Sequence, residues 1–191
     1  MSLSIANAQI DLRHGYYSGA AGIFASSLAW FVAAGVAALL SPDRGVWALL
    51  IGGMLIHPVG LLICKLLGAP GRHSVGNPLA SLAGASTVWL IASLPLAYVI
   101  SRPWVDWFFP AMLLVIGGRY TVFATLYGMR LYWLLGVALI AAAMLLVSLS
   151  APAAVGALTG ATLEAVFAVI CLLQHRRWTR EQPASTSTPA P

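Results

Sequence analysis

Residues 108–129 read FFPAMLLVIGGRYTVFATLYGM, an apolar stretch with a single charged side chain, Arg119. A helix needs about 20 residues to cross the hydrocarbon core of a bilayer, and this stretch is long enough. It therefore predicts a membrane-spanning helix with an arginine near its middle. A charged side chain is unusual at that depth, so we ask which group interacts with Arg119.

The whole chain shares this apolar composition. Of its 191 residues, 60% are hydrophobic and 8% are charged, and the mean hydropathy is +0.89. A soluble domain carries about 25% charged residues, so lipid is the expected solvent. The net charge of +5 raises the question of nucleic-acid binding. The basic residues flank apolar segments and form no stripe with interleaved aromatics, so no nucleic acid is expected as a partner.

Six apolar segments are long enough to span a bilayer, and the connections between them are short. The sequence therefore predicts an all-α, polytopic transmembrane bundle with one six-helix domain over residues 1–176. Residues 177–191 are rich in Pro, Ser and Thr and predict a disordered cytoplasmic tail. The first segment is expected to be retained as a helix, because no clear signal-peptide cleavage site follows it. The predicted spans are Tyr16–Leu40, Val46–Leu67, Leu79–Ile100, Phe108–Met129, Leu131–Leu149 and Val155–Gln174.

The basic residues outside the spans predict the orientation. Seven fall on the side that holds both termini and two on the other side. Loops rich in Lys and Arg stay in the cytoplasm, so both termini are expected there. Tyr and Trp residues at both ends of the spans fit interfacial belts. The seven basic residues on the side of the termini are Arg13, Lys65, Arg72, Arg130, Arg176, Arg177 and Arg180. The two on the other side are Arg44 and Arg102.

Three ionisable residues fall near the middle of the predicted spans: Arg119, Glu164 and His57. A lone charge at that depth costs about 3 kcal/mol or more. Arg119 is therefore expected to face inward and to pair with Glu164, directly or through water or a ligand. Such a pair serves either packing alone or function, and intramembrane ionisable residues are functional by default.

The spacing of small residues predicts which helix faces are interior. Gly156, Gly160 and Glu164 recur every four residues, which puts the carboxyl on a small-residue face suited to close helix packing.

The second span carries a comparable pattern. Gly53, His57, Gly60 and Cys64 follow i, i+4, i+7 and i+11 and also predict one inward face. Pro58 predicts a kink in this helix. His57 then either contributes to the polar site or only forms a hydrogen bond with a backbone carbonyl that the kink leaves free.

Three aromatic residues complete the candidate substrate or ion site. Trp30 and Trp89 lie near mid-depth on the first and third spans. Each side chain either packs against neighbouring helices or lines a ligand site. Tyr120 follows Arg119 directly.

The loop after the second span has a physical interpretation of its own. Asn77 is a plausible N-cap, with Pro78 at the first helical position. The alternative is a gate or a lipid headgroup site that uses Arg72 and His73.

Three stretches resemble an uncharacterised family of small bacterial integral membrane proteins. They are GGMLIHPVGLLICKLLG at 52–68, GNPLASLAG at 76–84 and GGRYTVFATLYGMR at 117–130. That family shows a cytoplasmic NPL loop after its second span, which Asn77, Pro78 and Leu79 match.

A second motif of the family places a glycine and a polar residue ahead of a tyrosine in the fourth span. Gly118, Arg119 and Tyr127 match it, although the family usually has histidine at the position of Arg119. The resemblance extends over Leu12–Gly136. It implies a multi-pass protein of the bacterial cytoplasmic (inner) membrane and no particular activity.

Several chemistries find no support in the sequence. The two cysteines form no Cys-x-x-Cys pair, and one membrane-embedded histidine cannot build a multi-histidine metal or haem site. No nucleophile motif or phosphate-cradling loop is visible. We therefore expect no enzyme, no metal and no cofactor.

Two functions from different classes remain open. The first is a small transporter or permease-like protein with a polar site of His57, Arg119 and Glu164 at mid-membrane, which takes a small molecule or an ion. The second is a non-transporting accessory or scaffold subunit, in which the Arg–Glu pair is structural. Its partners are the lipid bilayer and a homo-oligomer or a larger membrane complex.

Overall fold

Helices dominate the computed structural model, which describes residues 3–181. Short 3-10 turns at Tyr17–Gly19 and Val105–Trp107 precede α2 and α5. Within the described residues the α-helices are α1 (Ile5–Tyr16), α2 (Ala20–Leu39), α3 (Pro42–Leu66), α4 (Ala80–Ser101), α5 (Phe108–Tyr127), α6 (Arg130–Ser148) and α7 (Ala153–Glu181).

Six helical segments in the described part of the chain are long and apolar enough to cross a membrane. They correspond to α2, extended at its start by α1, and to α3 through α7. The predicted all-α, six-span bundle is therefore confirmed. The side of the membrane that holds the termini stays a prediction.

The last helix is longer than predicted. It continues through Glu181, so residues 177–181 are helical and the predicted tail boundary at residue 177 is wrong. No proline lies between Ala153 and Pro183, so the backbone is free to continue the helix over this range. The remainder of the predicted tail, residues 182–191, lies outside the described residues.

Small residues bring α2 into close contact with α3 and α7. Alanines of α2 lie against Gly45 and Gly52 of α3, where an added Cβ would reach Ala37 and Ala29 at 2.6 and 3.0 Å. Helices without large side chains at their contact approach closely, and their dispersion contacts stabilise the pair in lipid. As a result α2 is enclosed between α3 and α7.

The other half of the bundle is built around α5. Gly117 of α5 and Gly136 of α6 face each other's backbones, and a Cβ on Gly117 would reach the Gly136 carbonyl at 2.9 Å. α7 contacts α5 and α6 as well as α2, whereas α4 packs mainly against α5 and leaves most of its surface exposed. The interior therefore lies between α2, α5, α6 and α7, with α3 and α4 on the outside.

A break separates α1 from α2. Tyr17, Ser18 and Gly19 all have positive φ, at 55°, 54° and 87°. The predicted span beginning at Tyr16 therefore starts four residues too early, because a left-handed turn precedes the membrane-length helix. The separate helix α1 was not predicted from the sequence.

The helix α1 docks onto the ends of other elements. The Arg13 guanidinium donates to the carbonyls of Tyr127 and Gly128 at 2.5 and 2.7 Å, and thereby satisfies groups that the C-terminus of α5 leaves free. The Asp11 carboxylate accepts from Ser74 and Asn77 in the α3–α4 loop. We call this end of the bundle, with α1, residues 67–79 and the end of α7, the α1 end.

Asn77 organises the loop differently from the prediction. Its Oδ1 accepts from the Leu79 N–H at 2.9 Å, and its Nδ2 donates to the Ala8 carbonyl at 3.0 Å. The helix begins only at Ala80, so Pro78 is not its first residue and Asn77 is not its N-cap. The local turn and the contact with α1 use the Asn77 side chain instead. Arg72 is exposed at the surface of this loop.

Candidate functional site

The centre of the bundle holds a fully buried carboxyl, Glu164 of α7, with 0% of its surface exposed. Gly156 and Gly160 are buried on the same helix face, as predicted. A Cβ on Gly160 would reach the Trp30 ring at 2.9 Å, and one on Gly156 would reach Phe109 at 3.0 Å. The two glycines therefore let α7 approach α2 and α5 closely, and the same face carries Glu164 into the interior.

Glu164 is held by Tyr120 of α5. The Tyr120 hydroxyl donates to Oε1 at 2.9 Å, whereas Oε2 has no hydrogen-bond partner among residues 3–181. Ser26 of α2 is buried beside both residues. Glu164 and Tyr120 lie eleven and twelve residues from the starts of their helices, which is roughly 17 Å along each. The carboxyl is therefore near the middle of the bundle.

Trp30 belongs to the same group. It is 0% exposed, its ring centroid lies 6.0 Å from that of Phe109, and its Nε1 has no hydrogen-bond partner in the described part of the chain. The ring packs on Gly160, one turn before Glu164. We call Ser26, Trp30, Tyr120 and Glu164 the Glu164 cluster.

Arg119 does not pair directly with Glu164. Its Nη2 donates to Thr87 Oγ1 of α4 at 3.0 Å, and its guanidinium carbon lies 5.1 Å from the centroid of Phe123. Its Nε has no hydrogen-bond partner among the residues that the structure describes. Consecutive helix residues point about 100° apart. Tyr120 therefore faces α7, while Arg119 faces α4. The direct form of the predicted pair is wrong, and a pair through water or a ligand stays a prediction.

His57 and Trp89 also lie outside the cluster. The face of α3 toward α2 carries Gly45 and Gly52, and His57 is rotated roughly 140° from Gly52 at 100° per residue. His57 and Gly53 are exposed, although Gly60 and Cys64 are buried, so the predicted common face is wrong in its first half. Trp89 is 68% exposed on α4, which has few neighbours, and lines no interior site.

A second buried polar group lies toward the α1 end. The Ser18 carbonyl accepts from the Tyr132 hydroxyl at 2.6 Å and from the Cys171 thiol at 3.3 Å. Ser18 Oγ and His175 Nδ1 are 2.8 Å apart. These contacts from α6 and α7 fix the left-handed turn between α1 and α2. We call Ser18, Tyr132, Cys171 and His175 the Ser18 cluster.

The Ser18 cluster was not predicted, although the sequence carries part of its signal. Glu164, Cys171 and His175 follow i, i+7 and i+11 on α7, the spacing of one helix face. The Tyr120 and Tyr132 rings stack at 6.0 Å and connect the two clusters. Nothing in the sequence pattern shows that the backbone of Ser18 comes to this face.

Within residues 3–181, no group of three or more His, Cys, Asp or Glu side chains is placed to hold a metal ion. The chemistry that the Glu164 cluster offers is hydrogen bonding and proton exchange at one carboxyl.

Six helices of membrane length around a buried carboxyl define the fold of a multi-pass membrane protein. The chain belongs to a family of unknown function, DUF7010, whose model matches residues 5–174. No curated protein and no solved structure matches the chain. This membership agrees with the predicted relationship to an uncharacterised family, whereas bacterial origin and the two motifs stay predictions.

Proposed function

We propose that this protein is a small permease-like carrier in which Glu164 binds and releases a proton during transport of a small molecule or ion. The observation that carries the proposal is the Glu164 carboxyl itself, which is buried at mid-bundle. One of its oxygens accepts a hydrogen bond from Tyr120, and the other has no partner within residues 3–181.

A carboxyl that served packing alone would be expected to have both oxygens satisfied, because an unpaired buried polar atom costs about 1–3 kcal/mol. An apolar interior without a bonded cation tolerates the neutral acid better than the carboxylate. A change of protonation at Glu164 therefore requires a change in its surroundings. This coupling between a proton and local structure is what a proton-driven carrier needs.

The neighbouring tryptophan supports a polar ligand. Trp30 Nε1 is a buried donor and Glu164 Oε2 a buried acceptor, both without partners. They belong to facing helices and lie about one helical turn apart in height, because Trp30 packs on Gly160. Buried polar groups are normally hydrogen-bonded, so a small polar substrate or water that satisfies both is the expected occupant.

The proposal is tested with purified protein in liposomes under an imposed pH gradient, screened with small organic cations, anions and amino acids. Glu164→Gln keeps the shape of the side chain but cannot exchange a proton. We expect it to fold and to lose substrate-dependent proton flux. Thr87→Val is the matched control, because it removes a polar group between membrane helices away from the cluster, and we expect it to retain flux.

Stability is measured on the same samples by thermal unfolding in detergent. Equal flux from the wild type and Glu164→Gln, or no flux from the wild type with any substrate, would overturn the carrier proposal. A loss of flux that follows the loss of stability in every variant would also argue against it, because a structural role predicts that correlation.

A non-transporting accessory role is the second candidate, and the exposed surface of α4 favours it. Ser81, Ala85 and Ala92 lie on one exposed face of α4 at i, i+4 and i+11, the small-residue spacing of membrane helix interfaces. If α4 binds another subunit, Ala85→Leu with Ala92→Leu should abolish assembly, as measured by native mass spectrometry, and leave the isolated chain folded. An unchanged assembly state would contradict this role for α4.

A further inference from the structure

A cleft of about 440 Å³ opens at the α1 end of the bundle, separate from the Glu164 cluster. It lies between α1, the start of the α3–α4 loop and the last turns of α7. Its lining includes His14 of α1, Tyr17 of the turn after α1, and His175, Arg176 and Arg180 of α7.

The ionisable lining is basic. His14 and His175 contribute imidazoles, Arg176 and Arg180 contribute guanidinium groups one turn apart, and no carboxylate is among the described lining residues. Guanidinium groups bind phosphate oxygens through paired, charge-assisted hydrogen bonds. The cleft therefore has the chemistry of a phosphate site.

The inner wall of the cleft is held in place by buried contacts. His175 is only 6% exposed, its Nδ1 is 2.8 Å from Ser18 Oγ, and its ring lies 4.1 Å from the Tyr17 ring. Because Ser18 occupies Nδ1, Nε2 is the ring nitrogen left for a ligand. The His14 ring of α1 lies against the Trp178 ring of α7, with centroids 4.7 Å apart, which holds α1 against the last turns of α7.

An apolar strip on α7 leads toward the cleft. Val169 and Leu173 of α7 are 52% and 50% exposed, and Arg176 and Arg180 continue the same face at i+7 and i+11 from Val169. One helix face thus presents hydrocarbon surface first and then two guanidinium groups at its end. A ligand that matches both parts carries an acyl chain and an anionic head.

We propose that the cleft binds the phosphate of an anionic phospholipid, with an acyl chain lying along Val169 and Leu173. A free phosphate would use only the basic half of this surface. Basic pockets at the ends of membrane helices bind such headgroups, and the position of this cleft at the end of six membrane-length helices fits that depth. This site is independent of proton exchange at Glu164.

The test uses the full chain purified in detergent, with dioleoyl phosphatidylglycerol, dioleoyl phosphatidylcholine and inorganic phosphate as probes. Native mass spectrometry counts bound lipid, and thermal unfolding measures stabilisation. We expect phosphatidylglycerol to bind and to raise Tm, phosphatidylcholine to do so weakly, and inorganic phosphate to have little effect.

The decisive variant is Arg176→Gln with Arg180→Gln. Its matched control is Arg72→Gln with Arg177→Gln, which removes the same charge from exposed positions outside the lining. We expect about tenfold weaker phosphatidylglycerol binding in the first variant, since hydrogen bonds to a charged group are lost, and unchanged binding in the control.

Equal weakening in both variants would overturn the proposal, because it would mean that net charge alone attracts the lipid. Stabilisation by inorganic phosphate as large as that by phosphatidylglycerol would also overturn it, in favour of a site for a free anion.

Discussion

The Tyr120 hydroxyl donates a hydrogen bond to Glu164 Oε1 at 2.9 Å and so joins α5 to α7 in the middle of the bundle. The neighbouring residue, Arg119, bonds Thr87 on the outer helix α4 instead. One turn of α5 thus supports two separate polar contacts between helices. A separate testable prediction follows from each of these two contacts.

Tyr120→Phe should destabilise the protein by about 1–3 kcal/mol, because the buried carboxyl loses its donor. Thermal or chemical unfolding in detergent measures the change. The pair should be coupled, so that Tyr120→Phe costs less in a Glu164→Leu background than in the wild type. Equal costs in both backgrounds would show that the hydrogen bond contributes nothing.

Arg119→Leu should be coupled more strongly to Thr87→Val than to Glu164→Leu. A double-mutant cycle for Arg119 and Thr87 is expected to give an interaction energy of about 0.5 kcal/mol or more, because the two side chains share a hydrogen bond. The cycle for Arg119 and Glu164 should give a smaller value. The reverse order would indicate that the guanidinium turns toward the carboxyl in the membrane.

Gly160→Ala should destabilise the bundle by about 1–3 kcal/mol, because the new Cβ would lie 2.9 Å from the Trp30 ring and overpack the contact between α2 and α7. Gly84→Ala is the matched control, since it also lies within a helix and a Cβ there meets nothing within 4 Å. The control should be neutral or slightly stabilising through helix propensity. Equal losses in both variants would contradict the close packing at Gly160.

Asp11→Ala should loosen the α3–α4 loop without unfolding the bundle. The change removes the carboxylate that accepts from Ser74 and Asn77. Hydrogen–deuterium exchange over residues 67–79 should rise, while exchange in α5 through α7 stays unchanged. Asn7→Ala, on the same helix, serves as a control and should leave the loop protected; no difference between the two variants would argue against the docking of α1 through Asp11.

Both termini should be cytoplasmic, because seven basic residues lie at or beyond the ends of the spans on their side, against two on the other side. A C-terminal fusion to a reporter that is active only in the periplasm should be silent. The same reporter inserted at Ser150, in the turn between α6 and α7, should be active. The opposite pair of signals would reverse the orientation.

Much of the fold could be predicted because a membrane helix is recognisable in the sequence as an apolar segment of bilayer length. The α6 span was predicted as Leu131–Leu149 and runs over Arg130–Ser148, since a bilayer demands a fixed length of apolar helix. The inward face of Gly156, Gly160 and Glu164 was also predictable, because small residues repeat there at the helical period. The α1 helix escaped prediction, since its twelve residues have no comparable length constraint.

The sequence by itself determined that lipid surrounds the helices, how many spans there are and which ionisable groups lie at mid-membrane. The reason is that length and hydropathy decide whether a helix is stable in lipid. Only the tertiary structure decided the partners of those groups. Glu164 meets Tyr120, Arg119 meets Thr87, and His57 lies on an exposed surface. Equal depth brings side chains to one level, but the rotation of each helix about its axis decides which of them meet. That rotation is determined by the packing of small residues between neighbouring helices.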